Sequence, residues 1–333
     1  MELGMTIPVR GSFANAAGIA AHARRGEELG FTMMAIPDHI VIPKVWEHVY
    51  PYEKGGYTDV FSTGEHLEPI ALMAAVAGMT TKARIMPAVM VVPYRPAVLT
   101  ARQIATIDVA SGGRVTLGCG TGWMREEFEA VDAPPFKERG RVTDEFINAF
   151  RELWTNEEPE FDGEFVRFSN IYSRPRPVQR PHPPIWIGGD SPPAMRRVVR
   201  LGDGWFPVGA DDRGDDPRYP LNTLERYGAA VGRLHELAEE AGRDPASITL
   251  AFWAVWFSDA GDTRQIGQRA LSVDDGSQHM LLGSNEKIAA DILAMGELGV
   301  TTIVFNFVRD TLEESQDSME RFAAEVMPLV RAG

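Results

Sequence analysis

The sequence predicts a closed (β/α)8 TIM barrel of the α/β class, with insertions at its C-terminal face, formed as a single domain over residues 1–333. Three observations predict it. Eight short apolar runs alternate with helical patterns from end to end. A helix between two strands carries the chain back across the sheet, so the strands pair in parallel. Eight such units suit a chain of 333 residues, a length at which a barrel closes as one domain. The turn after the first run, Pro8-Val9-Arg10-Gly11-Ser12, lacks the Gly-x-Gly-x-x-Gly pattern that an open doubly wound sheet would need there.

The elements follow in order. Residues 3–8 form the first run. Residues 15–29 read as a helix with Ile19, Ala23 and Leu29 on its apolar side, ended by Gly30. The second run, 31–36, stops at Pro37, and a long polar stretch, 38–67, follows. Residues 69–79 are helical, 84–92 the third run, and 97–110 a helix ended by Ser111-Gly112-Gly113. The fourth run is 114–118, with helices near 124–130 and 137–155. Residues 156–184 are an excursion: Phe161-Asp162-Gly163-Glu164-Phe165 signals a hairpin, and a Pro/Arg-rich stretch follows. The fifth run is 185–187 with a helix over 192–201, the sixth 204–208 with a helix over 221–241, and the seventh 248–257. Residues 258–284 are long, polar and irregular; then come a helix at 285–298, the eighth run at 301–307 and a last helix at 312–330.

Composition narrows the function. Lys and Arg number 33 against 47 Asp and Glu, a net charge of −14, which argues against nucleic acid or an anionic membrane as partner. The single cysteine, Cys119, cannot form an internal disulfide or a thiolate metal cluster, and it reads as a small buried hydrophobe. The N-terminus lacks a signal-peptide pattern, and no stretch approaches the roughly 18 apolar residues of a membrane span. A cytoplasmic protein is expected. No His-x-His pair and no Gly-x-Ser-x-Gly elbow appears, so metal-dependent and serine hydrolysis are disfavoured, and no metal site is expected.

In a barrel of this kind the chemistry sits at the C-terminal strand ends. Asp38-His39 lies at the end of the second run, and a histidine there can donate a hydrogen bond or a proton near neutral pH. His48 and His66, in the following loop, and His22, on the first helix, read as surface residues. Gly188-Gly189-Asp190-Ser191 runs from the fifth strand into a helix whose free N–H groups suit a phosphate. Gly118-Cys119-Gly120-Thr121-Gly122-Trp123 is the most glycine-dense segment. Its backbone must pass close either to a flat ligand or to a neighbouring strand, and Trp123 could cover an aromatic ligand.

These residues resemble the luciferase-like (bacterial luciferase) superfamily, and within it the branch that uses the deazaflavin coenzyme F420. The matching segments are Glu28-Leu29-Gly30-Phe31, Pro37-Asp38-His39-Ile40-Val41, Ile107-Asp108-Val109-Ala110-Ser111-Gly112-Gly113-Arg114, Gly118 to Trp123 with Glu126-Glu127-Phe128, Pro181-His182-Pro183-Pro184-Ile185-Trp186-Ile187-Gly188-Gly189, and Leu201-Gly202-Asp203-Gly204-Trp205. The resemblance implies a flavin or deazaflavin at the barrel mouth, with His39 beside its reactive edge as the catalytic residue and Asp38 near it. It implies a bulge under the ring, with a non-prolyl cis peptide aligned to Val89–Met90. It further implies cofactor contacts from Gly120, Thr121, Gly188, Gly189 and Ser191, and a substrate pocket containing Trp123 and Trp205. Tyr50-Pro51-Tyr52 resembles the F420 branch. The implied activity is hydride transfer between F420 and a small, rather apolar organic substrate. The alternatives are an FMN-dependent two-component monooxygenase fed by a separate reductase, and a flavin-binding protein without catalysis. Relatives form dimers, so a homodimer is expected. One departure stands out. Deazaflavin sugar-phosphate dehydrogenases carry a Glu directly after Gly-Thr-Gly as proton-relay partner of the histidine, and a Trp soon after the Asp-His pair. Here Trp123 and Ile42-Pro43-Lys44 occupy those places.

Overall fold

The computed structural model describes residues 1–47, 61–209, 221–255, 257, 265–266, 269–270 and 279–332. The strands are β1 (Glu2–Thr6), β2 (Met33–Ile36), β3 (Arg84–Pro87), β4 (Met90–Val91), β5 (Leu117–Gly120), β6 (Phe161–Asp162), β7 (Arg167–Phe168), β8 (Ile185–Gly188), β9 (Gly204–Phe206), β10 (Thr249–Ala254), β11 (Gln265–Ile266), β12 (Arg269–Ala270) and β13 (Val300–Phe305). The helices are α1 (Ala16–Leu29), α2 (Pro69–Met79), α3 (Ala97–Ser111), α4 (Arg125–Ala130), α5 (Arg139–Thr155), α6 (Pro192–Leu201), α7 (Leu224–Glu240), α8 (Asn285–Glu297), α9 (Leu312–Glu325) and α10 (Met327–Ala332).

Nine strands form one parallel sheet in the order β3-β2-β1-β13-β10-β9-β8-β5-β4. The expected third strand is broken into β3 and β4 at Ala88 and Val89. β3 pairs with β2 and β4 with β5, and the parallel bridge Ile85↔Val115 spans the remaining seam. Eight apolar runs thus make one nearly closed barrel. The non-prolyl cis bond is Ala88–Val89, one residue before the position expected from the resemblance. The hairpin signal in 156–184 is the antiparallel pair β6–β7, with Phe161 and Phe168 stacked at 5.8 Å. The region 258–284, expected to be irregular, contains a second antiparallel pair, β11–β12, and most of the rest lies outside the described residues.

Two apolar layers follow from the period-2 alternation of strand side chains. Met33, Ala35, Met86, Ala88, Trp186, Phe206, Ala251 and Val304 fill the barrel interior. Their strand neighbours Met34, Ile36, Ile85, Met90, Ile187, Trp205 and Phe305 point the other way, into the larger core under the helices. α1 shows how the outer layer is built. Asn15 caps it by accepting the Gly18 N–H, Gly30 ends it at φ 98°, and Gly18, Ile19, His22, Ala23 and Gly26 face inward. His22 is therefore a core residue and not the surface residue expected: it lies three positions after Ile19, on the same face. Its Nε2 bonds the Thr6 carbonyl at 3.2 Å.

Candidate active site

The C-terminal strand ends open into a cavity of about 1190 Å³, and His39, Val89, Gly120, Trp123, Gly188 and Ser191 are among its lining residues. Pro37 ends β2, and the two residues after it do different work. The Asp38 carboxylate accepts the Val91 N–H at 2.7 Å and both terminal nitrogens of Arg95, at 2.9 and 2.8 Å. Arg95 reaches on to Glu68 at 2.7 Å. Both members of the Asp38–Arg95 pair are buried, and together they tie the end of β2 to the far side of the bulge. The carboxylate of Asp38 is thus committed to holding protein in place.

His39 Nδ1 lies 2.7 Å from a carboxylate oxygen of Glu127, whose side chain is fully buried. The same oxygen accepts the Tyr94 hydroxyl at 2.9 Å, and the other accepts the Ile40 and Val41 N–H groups at 2.6 and 3.2 Å. Burial pushes the Glu127 carboxyl up. The hydrogen bonds from His39, Ile40 and Tyr94 outweigh burial, so the group stays below the usual carboxylate range. An ionised carboxylate only accepts, so the Nδ1 beside it is the donor of this bond.

Around the imidazole stands an aromatic wall. Phe61, His66 and Trp123 have ring centres 4.7, 5.4 and 6.2 Å from that of His39. Trp46 packs on Phe61 at 6.1 Å, so an indole joins this wall although the position expected to carry it holds Ile42-Pro43-Lys44. His66 is therefore part of the site. Its Nδ1–H donates to the Leu67 carbonyl at 2.9 Å, and burial, followed by the neighbouring His39, lowers its pKa to about 4. His48 lies outside the described residues, as do Tyr50, Pro51 and Tyr52.

The glycines of 118–122 turn toward a neighbouring strand. A Cβ on Gly120 would sit 2.6 Å from a methyl of Val89, and one on Gly188 would sit 2.9 Å from the same methyl. Gly118 faces the Pro87 carbonyl. Small residues on β5 and β8 thus let Val89 stand at the barrel mouth. Cys119 between them is buried and its thiol pKa is raised by burial, as befits an inert core residue. Thr121 and Gly189 also line the cavity, Gly189 with φ 90°.

Two expected site residues stand elsewhere. Met90 is buried in the outer core, while Val89 and Val91 line the cavity. Trp205 is buried against Tyr227, its indole N–H donating to the Gly189 carbonyl at 2.7 Å, while its neighbour Phe206 lines the cavity. Both differences are the strand alternation at work. The helix start after Ser191 also offers fewer donors than its position suggested. Pro192 and Pro193 have no N–H; the Ala194 N–H goes to the Ser191 hydroxyl and the Met195 N–H to the Ser191 carbonyl. Arg139, at the start of α5, lines the same cavity; its guanidinium lies 4.1 Å from the Phe136 ring centre and donates to the Phe136 carbonyl at 3.1 Å, while its buried Nε has no hydrogen-bond partner among the described residues. Sequence reasoning had assigned no role to Glu127, Tyr94, Phe61 or Arg139. Among the described residues no cluster of three or more metal-ligating side chains occurs.

The mouth of this parallel (β/α) barrel thus combines a bulged strand, close-packed glycines and a carboxylate-held histidine. The chain matches the model of the luciferase-like monooxygenases over residues 1–265, and it belongs to that family. An FMNH2-dependent dimethylsulfone monooxygenase of Pseudomonas putida is 29% identical over 304 residues, covering 83% of this chain and 82% of that one. An uncharacterized protein of Mycobacterium tuberculosis is 31% identical over 277 residues, covering 82% and 93%. Among solved structures, an F420-dependent secondary alcohol dehydrogenase superposes with TM-score 0.73 at 18% identity, covering 99% of both chains. The monooxygenase RslO1 of Streptomyces bottropensis superposes with TM-score 0.71 at 24% identity, covering 98% and 99%. These two likenesses establish the shared barrel.

Proposed function

We propose that this luciferase-like oxidoreductase transfers a hydride between coenzyme F420 and a small, rather apolar organic substrate. The observation that carries the reading is the carboxylate-held His39 set in an aromatic wall at the barrel mouth. The fit to the cofactor rests on two features. A cavity of about 1190 Å³ exceeds the ~300–1000 Å³ usual for small-ligand pockets and has room for a tricyclic ring with its tail. Its donor set includes Arg139, whose buried Nε has no hydrogen-bond partner among the described residues.

When bound, the deazaflavin supplies the hydride chemistry, and the protein supplies binding, orientation and electrostatics. Val89 would support the ring from the bulge, beside Gly120, Thr121, Gly188 and Gly189. Arg139 and the hydroxyl of Ser191 would hold the phosphate. His39 Nε2 would take or return the proton at the reacting end of the substrate. Phe61 and Trp123 would exclude water and favour an apolar substrate body.

A second reading, an FMN-dependent monooxygenase fed by a separate reductase, is favoured by the identity to the dimethylsulfone monooxygenases of Pseudomonas putida and Pseudomonas fluorescens, 29% and 28%. The same His39-lined mouth would serve it. A homodimer belongs to either reading and is checked by sedimentation of the purified protein. Titration with F420 and with FMN, oxidised and reduced, separates the two: the proposal expects micromolar binding of F420 and weak binding of FMN. Tight binding of reduced FMN alone would replace it with the monooxygenase.

A further inference from the structure

We infer that Glu127 is a positioning residue that fixes His39 in the Nδ1–H tautomer, so that the cavity meets a ring nitrogen able to accept a proton. This rests on the reading of His39 as the proton-handling group. Trp123, directly after Gly120-Thr121-Gly122, brings no carboxylate to the imidazole; Glu127, four residues further along on α4, supplies it.

The carboxylate is saturated. One oxygen takes His39 Nδ1 and the Tyr94 hydroxyl; the other takes the backbone N–H groups of Ile40 and Val41. Four donors fix its rotation and leave it no freedom to turn away from the imidazole. The two backbone bonds also hold the chain directly after His39, so one group sets both the position of the ring and its tautomer. α4 carries Glu127 with its side chain fully buried, and Phe128 beside it packs on Tyr94 at 4.9 Å, so the clamp is anchored from its second face as well. His39 itself retains a 12% exposed side chain, the edge through which the cavity reaches it.

The test separates orientation from folding. Glu127→Gln keeps one oxygen for the Ile40 and Val41 N–H groups but turns an NH2 toward His39. That NH2 donates to Nδ1 and forces the proton to Nε2, the inversion that an Asp-to-Asn change imposes on a catalytic triad. Tautomers are read from imidazole 15N shifts in the unliganded, His-labelled full chain, with the His39 signals identified by their loss in His39→Ala. The wild type is expected to show a protonated Nδ1 and an unprotonated Nε2, a reading that needs no folded variant. Glu127→Gln is expected to exchange the two, while Tyr94→Phe leaves the wild-type pattern in place. A protonated Nε2 in the wild type would overturn the inference; so would an unchanged pattern in Glu127→Gln, or an exchange in Tyr94→Phe. Titration with F420 and FMN runs alongside. Affinity in Glu127→Gln within about threefold of wild type is expected, and a loss of tenfold or more would assign Glu127 to the binding fold instead. If the wild type binds neither cofactor, the functional reading fails while the tautomer result stands by itself.

Discussion

At the residue scale the site is an arrangement of a few committed polar groups. Asp38 and Arg95 form a buried pair that staples the end of β2 to the bulge. Removing Asp38 leaves the buried Arg95 with only the half-exposed Glu68 as partner and strands the Val91 N–H. Asp38→Ala is therefore expected to destabilise the fold by about 3–5 kcal/mol, read by urea unfolding. His39→Ala should retain cofactor binding and lose about 10²–10⁴-fold in turnover, the usual contribution of a positioned acid or base, checked by kinetics once a substrate is in hand. His39 was legible in the sequence because it stands at the end of an apolar run. Its partner was not: Glu127 lies 88 positions away, and only the folded barrel brings them together. Its one local signal was its place just after the glycine-dense segment. His22 was legible in principle, from its spacing to Ile19. Burial depresses its pKa from 6.5 to about 4, and it also depresses that of His66 to about 4. The unfolded chain takes these protons near pH 6.5 and the folded chain resists them. Stability is thus complete above about 6.5 and is lost as pH falls toward 4, by roughly 3 kcal/mol for His22 alone, at 1.36 kcal/mol per unit. His22→Leu should flatten that acid slope in thermal melts across pH 4–7.

At the element scale the broken third strand organises the mouth. β3 and β4 flank Ala88 and Val89, and glycines on β5 and β8 make the space that Val89 fills. Gly120→Ala or Gly188→Ala would press a methyl into Val89. Each is expected to cost about 1–3 kcal/mol, as overpacking does, and to weaken cofactor affinity with it. The double variant Gly188→Ala with Val89→Ala should recover stability, which calorimetry would report. Strand boundaries were readable from composition, but facing was not. In Gly204-Trp205-Phe206 every residue is buried, so no polar neighbour marks which side chain points inward. Trp205 was the larger and more conspicuous ring, yet Phe206 reaches the cavity. Met90 and Val89 repeat the same ambiguity across the bulge. The helix after Ser191 carries a similar lesson: two prolines suit its first turn and at the same time remove the N–H groups an anion would use.

At the scale of the whole molecule, eight alternating runs sufficed to predict the barrel, because a parallel sheet with covering helices leaves few other ways to bury them. Much of the cofactor preference was carried by residues 50–52, outside the described part of the mouth. Among the described residues no helix is long and apolar enough to cross a membrane. On the proposed reading a deazaflavin occupies the mouth with His39 at its reacting edge. The most direct measurement is calorimetric titration of the purified apoprotein, wild type and Arg139→Ala, with F420 and FMN in both redox states. F420 is expected to bind the wild type at micromolar concentration and FMN weakly, with a loss of about 1.5–3 kcal/mol in Arg139→Ala from a missing charge-assisted contact to phosphate. Tight binding of reduced FMN with no response to F420 would overturn that reading.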